Sequence, residues 1–359
     1  MNNKDPIVLI GSPPSPYTRK MIALLRFKQI PYKVIWGDPV QLLTSGDLAN
    51  LNIDPPKPSL LPTFILENES NELSAFTDST PLIRRFEKEY PSRNCIPINP
   101  VLSFLNYVLE DFADEWVTKY MFHYRWHFDE DIDNAGTLLP LNQVVNLDSK
   151  SLSSFKEHIA QRQIGRLGVV GSSDVTAAAI ERSYERFLNL LEEHFSQFPF
   201  LLGNRPASCD FALFGQLSQL VGFDPTSRKI AHKVSPRTVA WTNIMEDLSG
   251  LEVSDEDWID EELSESLINI FKEIGRVYVP ALLANEKASI DQEKTWKAMI
   301  DGSNWSQQTF PYQVKCLRWI NDEYQKLNDQ EKTKVSNFLD KTHCINCLLY
   351  TSPSPRDIS

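Results

Sequence analysis

The most constraining feature of this chain is a short unbroken apolar run, Ile7-Val8-Leu9-Ile10, that stops at Gly11. Such a run has no polar face to offer water, which is the pattern of a strand covered on both sides in a parallel sheet. After Ser12-Pro13-Pro14-Ser15, Pro16 stands where a first helical turn tolerates proline, and Tyr17, Met21, Leu24 and Leu25 recur at helical spacing up to Lys28. Pro31 opens a second strand, Lys33 to Trp36. Strand, helix and strand in so short a span make a βαβ unit, whose crossover is right-handed.

Gly37 to Leu60 reads as loop, stiffest at Asp54-Pro55-Pro56-Lys57-Pro58. Leu61-Pro62-Thr63-Phe64-Ile65-Leu66 follows as a strand, with Pro62 expected at its first position because proline cannot donate to a ladder. A turn at Glu69-Ser70-Asn71-Glu72 leads into a last strand, Leu73 to Phe76, so the sheet is mixed. Thr77-Asp78-Ser79-Thr80-Pro81 starts a helix reaching about Tyr90. Beyond about Pro100 the chain reads helical. Phe104, Leu105, Val108, Phe112 and Trp116 form one face, and Ile180, Tyr184, Phe187, Leu188, Leu191 and Phe195 another. Further helices are predicted around Phe211 to Leu217, Pro236 to Leu248, Leu263 to Val279 and Tyr312 to Leu327, and after the capping box Asn328-x-x-Glu331. The stretch from Asp129 to Ser173 carries no regular pattern.

Charge separates the two parts. Lys and Arg number 36 against 48 Asp and Glu, a net −12. Through Cys95 the count is 11 against 10, or +1, so the remainder holds −13. An acidic chain without basic clusters excludes a nucleic-acid or anionic-membrane partner. No early apolar run approaches the length of a membrane span or a signal h-region, and five scattered cysteines fit a reducing compartment. A soluble cytoplasmic protein is the expectation.

The segment Cys347 to Asp357 resembles a translated sequencing adapter, so 347–359 is set aside as a non-native tail. That removes the second cysteine of His343-Cys344-Ile345-Asn346-Cys347, and one C-x-x-C without a second pair closes no tetrahedral metal site. His123 and His127 stand at i,i+4 with Glu130 close behind, but Tyr120, Phe122, Tyr124 and Trp126 around them favour an aromatic packing face, and no metal ligands are assigned. Asp111, Asp114 and Glu115 read as a solvated or interface stripe. Cys209 and Cys316 read as core thiols.

The order βαβ, proline-started strand, hairpin and helix is that of the thioredoxin-like fold. With a helical domain following, the chain resembles the cytosolic glutathione transferases over most of residues 6–325. The resemblance is carried by Ser15-Pro16-Tyr17 with Arg19, Leu61-Pro62, Asp78-Ser79, and Phe200-Leu201-Leu202-Gly203-Asn204-Arg205-Pro206 running into Asp210-Phe211-Ala212. The long helical part, including Glu110 to Trp126 and Phe310 to Trp319, is similar to a large bacterial branch of the family. It implies a thioredoxin-like α/β domain over 1–92 and an all-α domain over 93–346. Where the family has Ser or Thr three residues before the aspartate, this chain has Ala207, so either Ser208 takes over the cap or about 1 kcal/mol is lost.

The resemblance also implies the chemistry. Glutathione would be the co-substrate and Ser15 the catalytic residue, its hydroxyl and the helix N-terminus stabilising the thiolate. Tyr17, Leu61, Pro62, Asp78 and Ser79 would bind glutathione, Leu61 through its backbone beside a cis-proline corner, Asp78 through the ligand's ammonium and Ser79 through its carboxylate. Tyr120, His123 and Tyr124 would border an apolar acceptor pocket for a small-molecule electrophile, in a homodimer. Plain helix caps at Ser15 and at Asp78-Ser79 remain alternatives, as does Ser12 for the hydroxyl. At the level of function, the alternatives are a non-catalytic binding module and a glutathione-dependent lyase, isomerase or dehalogenase.

Overall fold

A computed structural model describes residues 6–260 and 263–346; the adapter-like tail lies outside the described residues. The chain opens with β1 (Ile7–Gly11), α1 (Pro16–Phe27), β2 (Tyr32–Trp36), α2 (Pro39–Thr44), β3 (Thr63–Glu67), β4 (Leu73–Phe76) and α3 (Ser79–Glu89). The sheet order is β2-β1-β3-β4. β1 runs parallel to β2, with Leu9 opposite Val34, and antiparallel to β3, with Leu9 opposite Phe64; β3 and β4 close an antiparallel hairpin. This is the mixed thioredoxin-like arrangement that the sequence implied. Pro62 lies immediately before β3 and leaves the ladder intact.

Alternation along the strands sends Leu9, Phe64 and Leu66 to one face, against Met21, Leu24 and Leu25 of α1 and Leu82, Ile83 and Phe86 of α3. Ile10 and Ile65 face the other way, onto Leu42 and Leu43. Those two leucines belong to α2, which falls inside the stretch read as loop. The helix is short but has its own start signal: Asp38 accepts from the Gln41 N–H at 2.9 Å and Pro39 occupies the first turn.

Helices dominate the rest: α4 (Pro100–Phe112), a π-helical turn (Ala113–Val117), α5 (Thr118–His127), α6 (Asp129–Leu141), α7 (Ser149–Ile164), α8 (Ala177–His194), α9 (Ser208–Leu220), α10 (Pro225–Val234), α11 (Pro236–Met245), α12 (Glu265–Ile290), α13 (Pro311–Gln325) and α14 (Asp329–Lys341). The unpatterned stretch from Asp129 is thus largely α6 and α7. One departure from helix is a hairpin, β5 (Thr295–Ile300) and β6 (Ser303–Gln308), turned at Asp301 and Gly302, both at positive φ. It tucks Trp296 and Trp305 into the core.

α9 joins the two parts. Its Gly215 lies so close to α1 that an added Cβ would sit 2.4 Å from the Pro16 carbonyl oxygen, so only glycine allows this approach. The start of α9 resolves the missing cap hydroxyl. Asp210 accepts from the Ala207 and Leu201 N–H groups, both at 2.9 Å, and Asn106 of α4 accepts from the Cys209 N–H at 3.0 Å. Ser208 does not shift the cap; it donates to Glu110 at 2.6 Å. Cys209 and Cys316 are buried as core thiols.

Candidate functional site

A cavity of about 870 Å³ lies between the sheet unit and the helices that follow it. One wall consists of Tyr17 from the first turn of α1, Leu61 and Pro62 before β3, and Asp78 and Ser79 at the start of α3. The Leu61–Pro62 peptide is cis. Asp78 sits at φ +75°, a conformation that costs a non-glycine residue on the order of 1–3 kcal/mol and that folds retain mainly at sites of use. Its carboxylate accepts from the Tyr312 hydroxyl at 3.1 Å, across from α13. Burial raises the Asp78 pKa, against the hydrogen bonds from Tyr312 and the Thr80 N–H.

Behind this wall stands Lys20, fully buried in α1. Its ammonium donates to Ser79 Oγ at 2.9 Å, Glu110 Oε1 at 3.1 Å and Asp114 Oδ2 at 2.6 Å. Because Lys20 occupies a lone pair of Ser79, the Ser79 O–H is turned to donate elsewhere. Burial alone would lower the Lys20 pKa, but Asp114 and Glu110 outweigh it and the pKa is raised. Burial likewise pushes Glu110 up, yet Lys20, Arg84 and the hydroxyls of Ser208 and Thr80 bring it down to about 2. Asp114 goes the other way, raised by burial and by the Glu110 charge, and its Oδ1 has no partner among the described residues. One ammonium serves two carboxylates here, at 2.6 Å from Asp114 and 3.1 Å from Glu110.

The second wall corrects the expectation for Asp111, Asp114 and Glu115. They line the cavity rather than solvent, carried there by α4 and the π-helical turn, an element common at functional sites. Burial raises Asp111 to about 7, against the 2.6 Å hydrogen bond from the Tyr278 hydroxyl, and raises Glu115 to about 8, with the Asp111 charge adding to it. Gln313 donates to Glu115 at 3.2 Å. Lys119, on α5, is lowered to about 8 by burial, offset in part by Glu115; it donates to Gln307 of β6 at 3.1 Å and to the Val170 carbonyl. Phe310, Tyr312 and Trp319 supply apolar surface. Burial thus biases Asp111 and Glu115 toward the protonated form, beside aromatic rings.

The predicted site residues divide. Tyr17, Leu61, Pro62, Asp78 and Ser79 share one wall. The Tyr17 hydroxyl is committed to the Asp114 carbonyl at 2.8 Å, so Tyr17 offers the cavity its ring. Ser15 is the N-cap of α1, accepting from the Thr18 N–H at 3.3 Å, which leaves its own O–H to donate; it is half-buried, two residues from Tyr17, and is not one of the lining residues. Ser12 engages the Thr18 hydroxyl through its backbone N–H. Tyr120, His123 and Tyr124 do not line the cavity. They point to the opposite side of α5, where the Tyr120 hydroxyl meets Ser183 of α8 and Tyr124 packs on Tyr184. The face of α5 turned to the cavity is that of Thr118 and Lys119.

Lys20 was missed, although its position carries a signal: it falls three residues after Tyr17 and four before Leu24, a lysine on the apolar stripe of α1.

The chain is similar in structure to a GST-like protein from Pseudomonas syringae (16% identity, covering 67% of each chain, TM-score 0.43). It is also similar to a glutathione transferase from Burkholderia graminis solved with two glutathione molecules per subunit (15% identity, 69% of this chain and 87% of that one, TM-score 0.43). A third is the beta-etherase LigF from Sphingobium sp. strain SYK-6 (16% identity, 74% and 99%, TM-score 0.47). No curated protein matches the chain. Residues 9–94 match the family described as glutathione S-transferase, N-terminal domain.

Proposed function

We propose that the chain is a glutathione transferase. The observation that carries this reading is that Leu61, Pro62, Asp78 and Ser79, separate in sequence, share one cavity wall within the matched 9–94 segment, beside the start of α1. In the proposed complex the glutathione ammonium pairs with Asp78 and its terminal carboxylate takes the Ser79 O–H with the Lys20 charge behind it. The cysteinyl backbone pairs with that of Leu61. The Ser15 O–H and the N-terminus of α1 hold the thiolate, which attacks a small electrophile while the leaving group departs with its electron pair. The acceptor has an apolar body for Phe310, Tyr312 and Trp319, and neutral or cationic polar groups for the carboxyl floor. A homodimer working in the cytoplasm belongs to the same proposal. Among the described residues no helix is long and apolar enough to cross a membrane.

The test is an ultraviolet titration of bound glutathione in the native chain and in Ser15→Ala. A thiolate band with a pKa below that of free glutathione, lost in the variant, is the expected result. Absence of binding, or an unshifted thiol in both proteins, overturns the reading. Product analysis with an electrophile panel then separates conjugation from elimination, isomerisation or dehalogenation.

A further inference from the structure

On the side of α5 turned away from the cavity, three side chains meet in a way the transferase reading does not use. His123 and His127 stand at i,i+4 on α5 with their rings stacked, centroids 4.5 Å apart. From α8, Glu181 brings a carboxylate oxygen to 3.7 Å from His123 Nε2. One ligand atom from each of the three lies within 4.8 Å of the others. Glu130, the acid nearest in sequence, is exposed and outside the group.

His123 gives the cluster its direction. The residue is fully buried and its Nδ1 is engaged with Ser172 Oγ at 2.8 Å, yet Nε2 has no hydrogen-bond partner among the described residues. A buried ring nitrogen left unpaired costs about 1–3 kcal/mol. With Nδ1–H donating to Ser172, the Nε2 lone pair points at His127 and Glu181, the tautomer and the outer support that a metal-bound histidine uses.

We propose that His123, His127 and Glu181 form a binding site for a divalent transition metal of the zinc class. Two imidazoles and one carboxylate suit Zn²⁺, Co²⁺ or Ni²⁺ and are a poor set for Mg²⁺ or Ca²⁺. Metal–ligand distances of about 2.0–2.2 Å require the three atoms to draw closer than they stand. His127 is half-buried and the Glu181 side chain is 41% exposed, so both close by side-chain rotation and the metal enters from their side. Three protein ligands leave a fourth position for water. The bound ion ties α5 to α8, behind the helix that presents Lys119 to the cavity.

The site is tested on the full chain, stripped of metal with a chelator and titrated with Co²⁺ while the visible d–d absorption is followed, then with Zn²⁺ in a thermal melt. The expected result is one Co²⁺ per chain with an absorption band that Zn²⁺ displaces, and a Tm that rises with Zn²⁺. His127→Ala and Glu181→Gln, both at partly exposed positions, abolish the band while leaving the circular dichroism unchanged. Ser172→Ala weakens Co²⁺ binding by about 10- to 100-fold. Absence of a cobalt band in the native chain, or a band that survives both ligand substitutions, overturns the proposal. Glutathione binding plays no part in these readouts, so the outcome is independent of the transferase reading.

Discussion

Two buried lysines, Lys20 behind one wall of the cavity and Lys119 lining the other, behave in opposite ways. Lys20 stands between Glu110 and Asp114 with Ser79 as a third partner, and its pKa is raised; Lys119 has two neutral acceptors within hydrogen-bond distance, with the Glu115 charge only in part offsetting burial, and is lowered to about 8. The desolvation penalty is common to both, so the difference lies in the neighbouring charges. Where the carboxylates are ionised the lysine is a structural cation. Where they have been pushed toward neutrality, burial wins and the lysine's own pKa falls.

The most severe way to break this contrast is Lys20→Met. It leaves Glu110 and Asp114 buried without their cation, and the expected cost is about 3–5 kcal/mol in urea unfolding, as for other broken buried pairs. A loss below about 1 kcal/mol would mean that the carboxylates take up protons and that the ammonium organises little.

A smaller effect is expected in the pH dependence of stability. Glu115 and Asp111 bind protons more tightly folded than unfolded, so between their ordinary values of 4.5 and 3.8 and their folded values of about 8 and about 7 the folded state holds more protons. Stability therefore falls as pH rises through that window. Glu115→Gln removes one titrating group, and its unfolding free energy should fall less steeply over the same range. Equal slopes in the two proteins would place the titration elsewhere. Lys119 acts in the other direction: lowered from 10.5 to about 8, it favours the folded state increasingly as pH rises from about 8 toward 10.5.

Lys119→Met should have the smallest effect, within about 1 kcal/mol, because it removes hydrogen bonds to neutral acceptors and no ion pair. It should also shift the apparent pKa of Glu115 upward by taking away the nearest cation, measurable by difference titration of the two variants. A destabilisation equal to that of Lys20→Met would erase the distinction between the walls.

Much of this was legible in the chain, and the limits have physical causes. The sheet unit announced itself because each of its strands and helices carries a local signal, whether the apolar run at Ile7, the proline before β3 or the cap before α3. The turn Asp301-Gly302 was equally plain chemistry for a hairpin, with Trp296 and Trp305 as its buried partners, but a helical surrounding concealed it. Asp38-Pro39 likewise marked α2. The acidic spacing at 111, 114 and 115 showed a helical stripe without showing what that stripe faces, since a polar face looks the same toward water and toward a cavity. Tyr120, His123 and Tyr124 were placed on the right helix and on the wrong side of it for the cavity, because the residues that claim them, Ser183, Glu181 and Tyr184, are some sixty positions away.

The cap of α9 has a consequence for how the chain acquires its shape. One hydrogen-bond acceptor for its first turn, that of the Cys209 N–H, comes from Asn106 on α4, 103 residues upstream. A helix capped from within can nucleate by itself; this one gains its last stabilising bond only after α4 has docked. An excised peptide spanning α9 should fray at its start, and the meeting of α4 with α9 should be one of the later, order-setting events in folding.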